Sequence, residues 1–163
     1  MKKYNHNNCK SLFGYSSEVH IRCKGQCQLC GCGGGSPLDF DLWRQMTVEH
    51  LIGKSQGGYL KQIRDALGRM FPDFSETEVE SLSEEIDVLN TVTACQFCNS
   101  TTSRDVSSKN MEELLSECEG NRKSILANIE GACNEILCSK RAKVQWKLKS
   151  VKEAFHEKII GRI

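Results

Sequence analysis

Apolar residues recur at helical spacing over residues 59 to 71, where Tyr59, Leu60, Ile63, Leu67, Met70 and Phe71 share a face and Phe71-Pro72 ends the run. A second run opens at Ser75-x-x-Glu78, which has the form of a capping box, and carries Val79, Leu82, Ile86 and Leu89 on one face. Residues 111 to 118 and 122 to 138 also read as helices, the latter with Ile125, Leu126, Ile129, Cys133, Ile136 and Leu137 at helical intervals. Residues 139 to 149 carry two periods at once. Val144, Trp146 and Leu148 alternate, whereas Val144, Leu148, Val151, Phe155 and Ile159 keep a helical step, so helix is expected from about Leu148 onward. The main strand signal lies earlier: Leu38, Phe40, Leu42, Met46 and Val48 alternate into Glu49-His50. Leu51-Ile52 reads as a return strand, closed by the glycine-rich loop Lys54-Ser55-Gln56-Gly57-Gly58. Residues 90 to 94 lead to a short helix from Cys95 through about Asp105, and Ser107-Ser108 break it. The pattern predicts an α+β fold, mostly helical, in which two helices are inserted after a hairpin.

A chain of 163 residues is one domain's worth, and three regions are expected: a flexible N-terminus at 1–16, a core at 17–106 with the helical insertion at 59–89, and a helical extension at 107–163 packed on that core. Charge is balanced at 22 Lys plus Arg against 21 Asp plus Glu, so no global field draws the chain to polyanions. Nucleic-acid contact would have to come from a local patch, and the tail with Lys140, Arg141, Lys143, Lys147, Lys149, Lys152 and Lys158 is the one stretch basic enough. A solvated helix face is the plainer reading of the same charges. No run of about 18 apolar residues exists to span a membrane. Trp43 and Trp146 are expected as core anchors, and His6, His20 and His156 as surface residues.

The ten cysteines change the picture most. The stretch Met1 to Asn8 is polar and lacks the apolar segment of a signal peptide, which favours a cytoplasmic, reducing setting and metal or redox chemistry over disulfides. Two Cys-x-x-Cys pairs, Cys27/Cys30 and Cys95/Cys98, can each bite one edge of a tetrahedral structural zinc and so tie distant segments together. A redox couple is the competing reading, but two matched pairs framing one segment favour zinc. Cys23 and Cys32 flank the first pair and are substitute ligands, although the two-residue spacing of Cys27 and Cys30 is the commoner zinc geometry. Gly31 suits the positive-φ turn that points backbone N–H groups at a thiolate. Cys9, Cys118, Cys133 and Cys138 read as small buried hydrophobes. With the four thiols gathered, Glu49, His50, Asn90 and Asn99 would converge.

From Arg22 to Arg104 the chain resembles the HNH endonucleases of the ββα-metal superfamily. The resemblance rests on Cys27-x-x-Cys30-Gly31, then Val48-Glu49-His50-Leu51-Ile52 with Lys54-Ser55-x-Gly57-Gly58, then Asn90-x-Val92 and Cys95-x-x-Cys98-Asn99, in that order. It implies a zinc-stapled ββα core hydrolysing DNA phosphodiester bonds, with His50 as general base and Glu49 and Asn99 holding a catalytic Mg2+ or Mn2+. Asn90 would brace the loop and orient His50. Gly53 stands where the family often has proline, and Thr102 where it usually has lysine, which leaves Arg104 and Lys54 as candidate phosphate contacts. A homodimer is one form in which such an enzyme cuts both strands. The alternative function is a zinc-dependent nucleic-acid-binding module without catalysis.

Overall fold

The computed structural model of the chain describes residues 17–102 and 107–163. In order, its elements are α1 (Ser17–Arg22), α2 (Phe40–Trp43), β1 (Met46–His50), α3 (Leu60–Met70), α4 (Glu76–Asn90), β2 (Thr91–Cys95), α5 (Gln96–Thr102), α6 (Met111–Ser116) and α7 (Arg122–Lys158). The fold is α+β and mostly helical. Its one sheet among the described residues has two antiparallel strands, with Met46 opposite Cys95, Glu49 opposite Val92 and His50 opposite Thr91.

The two inserted helices form where the apolar period places them. Ser75 caps α4 by accepting the Glu78 N–H at 3.2 Å while the Glu78 carboxylate accepts the Ser75 N–H at 2.8 Å, which satisfies two donors that a helix start leaves bare. Val79, Leu82 and Ile86 then point inward to meet Ile63 and Leu67 of α3, and Ile125 and Ile129 of α7. These side chains form the larger core. A smaller one gathers Cys27, Leu29, Met46, Ala94, Cys95, Cys98 and Val144. Leu137 packs against both, so α7 runs along the two cores in turn.

Several expectations are corrected. The strand is only Met46–His50, because Phe40–Trp43 form a short helix whose first turn is capped by the Asp39 carboxylate, and Leu38, Phe40 and Leu42 lie exposed. Leu51-Ile52 is no return strand. The partner of β1 is β2, so α3 and α4 sit between the two strands rather than after a hairpin. Residues 139 to 149 are continuous helix within the 37 residues of α7, since Val144 packs inward at a helical step from Cys133 and Leu137 while Trp146 faces out at 71% exposure. His20 is buried rather than superficial: its Nδ1 lies 3.0 Å from Thr93 Oγ1 and its ring meets the Trp43 ring edge-on. Cys133 is buried as expected, but Cys138 is exposed. The expectations for a flexible 1–16, for His6 and Cys9, for Arg104 and for a helix end near Asp105 fall outside the described residues.

Candidate functional site

The knuckle carrying Cys27 and Cys30 is held beside the Cys95/Cys98 pair by β2. Gln28 N–H donates to Thr93 O at 2.8 Å, and the Thr93 N–H points at Cys23 Sγ at 3.4 Å, so the chain around Cys27 lies along the edge of β2 that β1 does not use. Within the knuckle, Gly31 takes φ 81°, and the Cys30 N–H points at Cys27 Sγ at 3.5 Å. Because β2 ends at Cys95 and α5 begins at the next residue, Cys95 and Cys98 occupy the strand end and first turn of a helix beside that knuckle. All four sulfurs lie within 4.8 Å of one another, with Cys30 and Cys95 at 3.9 Å. A tetrahedral ion with Zn–S bonds of about 2.3 Å sets sulfurs about 3.8 Å apart, so a small contraction accommodates it. Four close thiols are a set that can hold a metal ion such as zinc. Contact with Cys95 lowers the Cys27 pKa, and the same contact and burial raise that of Cys95, which is the tension of packed thiols that a cation relieves. Cys32 stays outside the cluster and exposed.

Glu49 and His50 end β1 on adjacent positions, one on each side of the strand. The His50 ring packs against Tyr59 at 4.4 Å between centroids with the planes tilted by 45°, and Lys54 Nζ stands 5.7 Å from the centroid of the same Tyr59 ring. Burial pushes the His50 imidazole down to about 4, so it is neutral at neutral pH. The loop after His50 is fixed by Asn90. This side chain is fully buried, its Oδ1 accepts the Ile52 N–H at 2.7 Å, and its Nδ2 donates to Ile52 O at 3.0 Å and Gly58 O at 2.9 Å. Leu51 N–H adds a bond to Asn90 O at 2.9 Å. Gly58 has to be glycine, since a Cβ there would lie 1.5 Å from Ile52 O. Asn99, on α5, reaches β1 with its Nδ2, donating to Thr47 Oγ1 at 2.8 Å and approaching Val48 O at 3.4 Å. His50 and Asn90 thus meet at the end of the sheet that opens into the turn at 51–58, whereas Asn99 contacts β1 further back, at Thr47 and Val48.

The Glu49 carboxylate is not open. Lys140 Nζ of α7 lies 2.6 Å from Glu49 Oε1 and donates also to Thr102 O at 3.2 Å, with the Lys140 and Glu49 side chains exposed by only 4% and 7%. A divalent ion such as Mg2+ keeps several waters and octahedral room around its carboxylate. The Lys140 ammonium fills part of that room at Glu49, while Asn99 donates its amide nitrogen to β1 and so keeps Oδ1, its ligating atom, turned away from the strand. The cysteines are the only group of three or more Cys, His, Asp or Glu with metal-binding proximity among the described residues. As arranged, the ammonium on Glu49 is what opposes a divalent ion at that carboxylate.

Two residues that matter here escape a reading of the sequence. Tyr59 counts there as one more apolar helix position, although its place between Lys54 and His50 is settled only by the turn of the 51–58 loop. Lys140 counts as one cation of a basic tail. It is in fact drawn inward, as is Lys147, which donates to Thr101 O, while Arg141 reaches Gln28 O at 2.7 Å. No protein-family model matches the chain, and no curated protein or solved structure matches it either.

Proposed function

We propose that this chain is an HNH-type nuclease domain that hydrolyses phosphodiester bonds in DNA, built as a zinc-stapled ββα core of β1, β2 and α5. The observation that carries the reading is the clamp of Asn90 on the turn after His50, which holds a neutral imidazole at the end of a strand whose neighbour leads straight into a thiol cluster. Neutral His50 takes the proton from a water as that water attacks phosphorus in line; the P–O3′ bond breaks and the departing 3′ oxygen takes a proton from solvent. Asn90 positions this base through the backbone it grips. Tyr59 supports the ring from one side, and the exposed Lys54 next to Tyr59 offers a charge for the phosphate.

A second reading, a zinc-dependent nucleic-acid-binding module without catalysis, is favoured by the ion pair that closes Glu49. The deciding experiment incubates the zinc-loaded protein with supercoiled plasmid, with no added divalent ion and with Mg2+ or Mn2+, beside a His50→Ala variant. Nicking that His50→Ala abolishes while zinc content and DNA retention persist supports the enzyme. Retention of DNA without nicking under every condition supports the module.

A further inference from the structure

We propose that Lys140 is the resident cation of the Glu49 site, standing where the HNH resemblance would put a divalent metal, and that its charge keeps Mg2+ and Mn2+ out. The inference deepens the proposed reading of this site, but it concerns what the site binds and not whether it cuts.

Three features fix the ammonium there. First, Lys140 belongs to the inner face of α7: Cys133, Leu137, Lys140 and Val144 follow one another at helical steps, with Cys133 in the larger core, Val144 in the smaller and Leu137 against both. Lys140 is the charged member of that row, and burying it is tolerable only with a fixed anion. Second, that anion is Glu49, whose strand position is set by β2 and whose next turn is set by Asn90. Third, Thr102 O gives the ammonium another acceptor, at the last residue of α5, where a helix leaves carbonyls without intrahelical partners. Arg141 on Gln28 O and Lys147 on Thr101 O seat the same stretch of α7 on the knuckle and on α5. A dication at Glu49 would meet an ammonium 2.6 Å from the same carboxylate, in surroundings that screen the repulsion poorly. Lys140 is accordingly a positioning residue: it neutralises Glu49 and holds the carboxylate against the end of α5 without touching substrate.

The test titrates the zinc-loaded full chain with Mn2+ and follows free Mn2+ by electron paramagnetic resonance. Wild-type protein and Lys140→Arg, which keeps the charge, are expected to bind no Mn2+ at Glu49. Lys140→Met removes the like charge and leaves the carboxylate, so Mn2+ affinity should rise about tenfold or more. Adding Glu49→Gln to that variant should abolish the gain. Stoichiometric Mn2+ binding by the wild type that is lost in Glu49→Gln overturns the proposal, as does a folded Lys140→Met that binds no better than wild type. If Lys140→Met fails to fold, the wild-type and Lys140→Arg titrations still decide. Plasmid nicking is read in parallel: no nicking and no Mn2+ binding sinks the nuclease reading alone, whereas nicking with Mn2+ held at Glu49 sinks this inference alone.

Discussion

At the scale of single residues, the turn after His50 depends on the Asn90 side chain and on the lack of one at Gly58. Asn90→Leu leaves the Ile52 amide and the Ile52 and Gly58 carbonyls buried with the Asn90 partner gone, at about 1–3 kcal/mol for each group left unsatisfied. A loss of about 3 kcal/mol or more is expected in urea unfolding, with a nicking defect as large as that of His50→Ala if the turn orients the base. Gly58→Ala should cost a similar amount, because the added methyl would overlap Ile52 O and the backbone has to move. His50 gives a pH signature. Its folded pKa lies near 4, below the ordinary value of 6.5, so the unfolded chain takes up the proton first as pH falls. The stability it contributes is complete above pH 6.5 and is lost as pH drops toward 4. A His50→Gln variant should flatten that part of a stability–pH curve measured by thermal unfolding. Cys133, whose thiol burial pushes up to about 12, should resist alkylation at pH 8 until the protein is unfolded.

At the scale of elements, the ion pair between α7 and β1 is the sharpest dependence. Lys140→Met alone strands the buried Glu49 charge and should destabilise the fold by about 3–5 kcal/mol, whereas Glu49→Gln together with Lys140→Met should recover most of that loss, since neutral partners need no counter-charge. Comparing the single and double variants by urea denaturation measures it. The elements also show where the sequence is readable. Helices α3 and α4 follow from Ile63, Leu67, Val79, Leu82 and Ile86, because a helix buries one stripe whatever it packs on, and the Ser75 cap is local. The strand is less legible: Leu38, Phe40 and Leu42 alternate, but alternation is also what an exposed turn into a short helix produces by chance, and the true partner of β1 lies beyond two helices. The four cysteines are legible because metal geometry prescribes their spacing. Lys140 is not, since nothing within α7 distinguishes a lysine that meets a carboxylate 91 residues away from one that meets water.

At the scale of the whole molecule, the two cores need not respond alike to loss of metal. The larger rests on aliphatic side chains from α3, α4, α6 and α7 and contains none of the four clustered cysteines. The smaller is built around those thiols. Stripping zinc with a chelator should therefore expose the thiols of Cys27, Cys30, Cys95 and Cys98 to a colorimetric reagent and abolish function, while much of the helical circular dichroism persists. Full retention of function after verified removal would exclude a structural ion.

Helix α7, about 56 Å long at the usual rise per residue, is one rod laid across both cores. Its amides should then act as a strain gauge for the thiol cluster. With zinc bound, deuterium uptake along residues 137–148 should be slow, and after chelation those amides should exchange faster while residues 125–133 of the same helix keep their protection. The boundary between slow and fast exchange would fall within an unbroken helix, which would report the knuckle's integrity along one half and the aliphatic core's along the other.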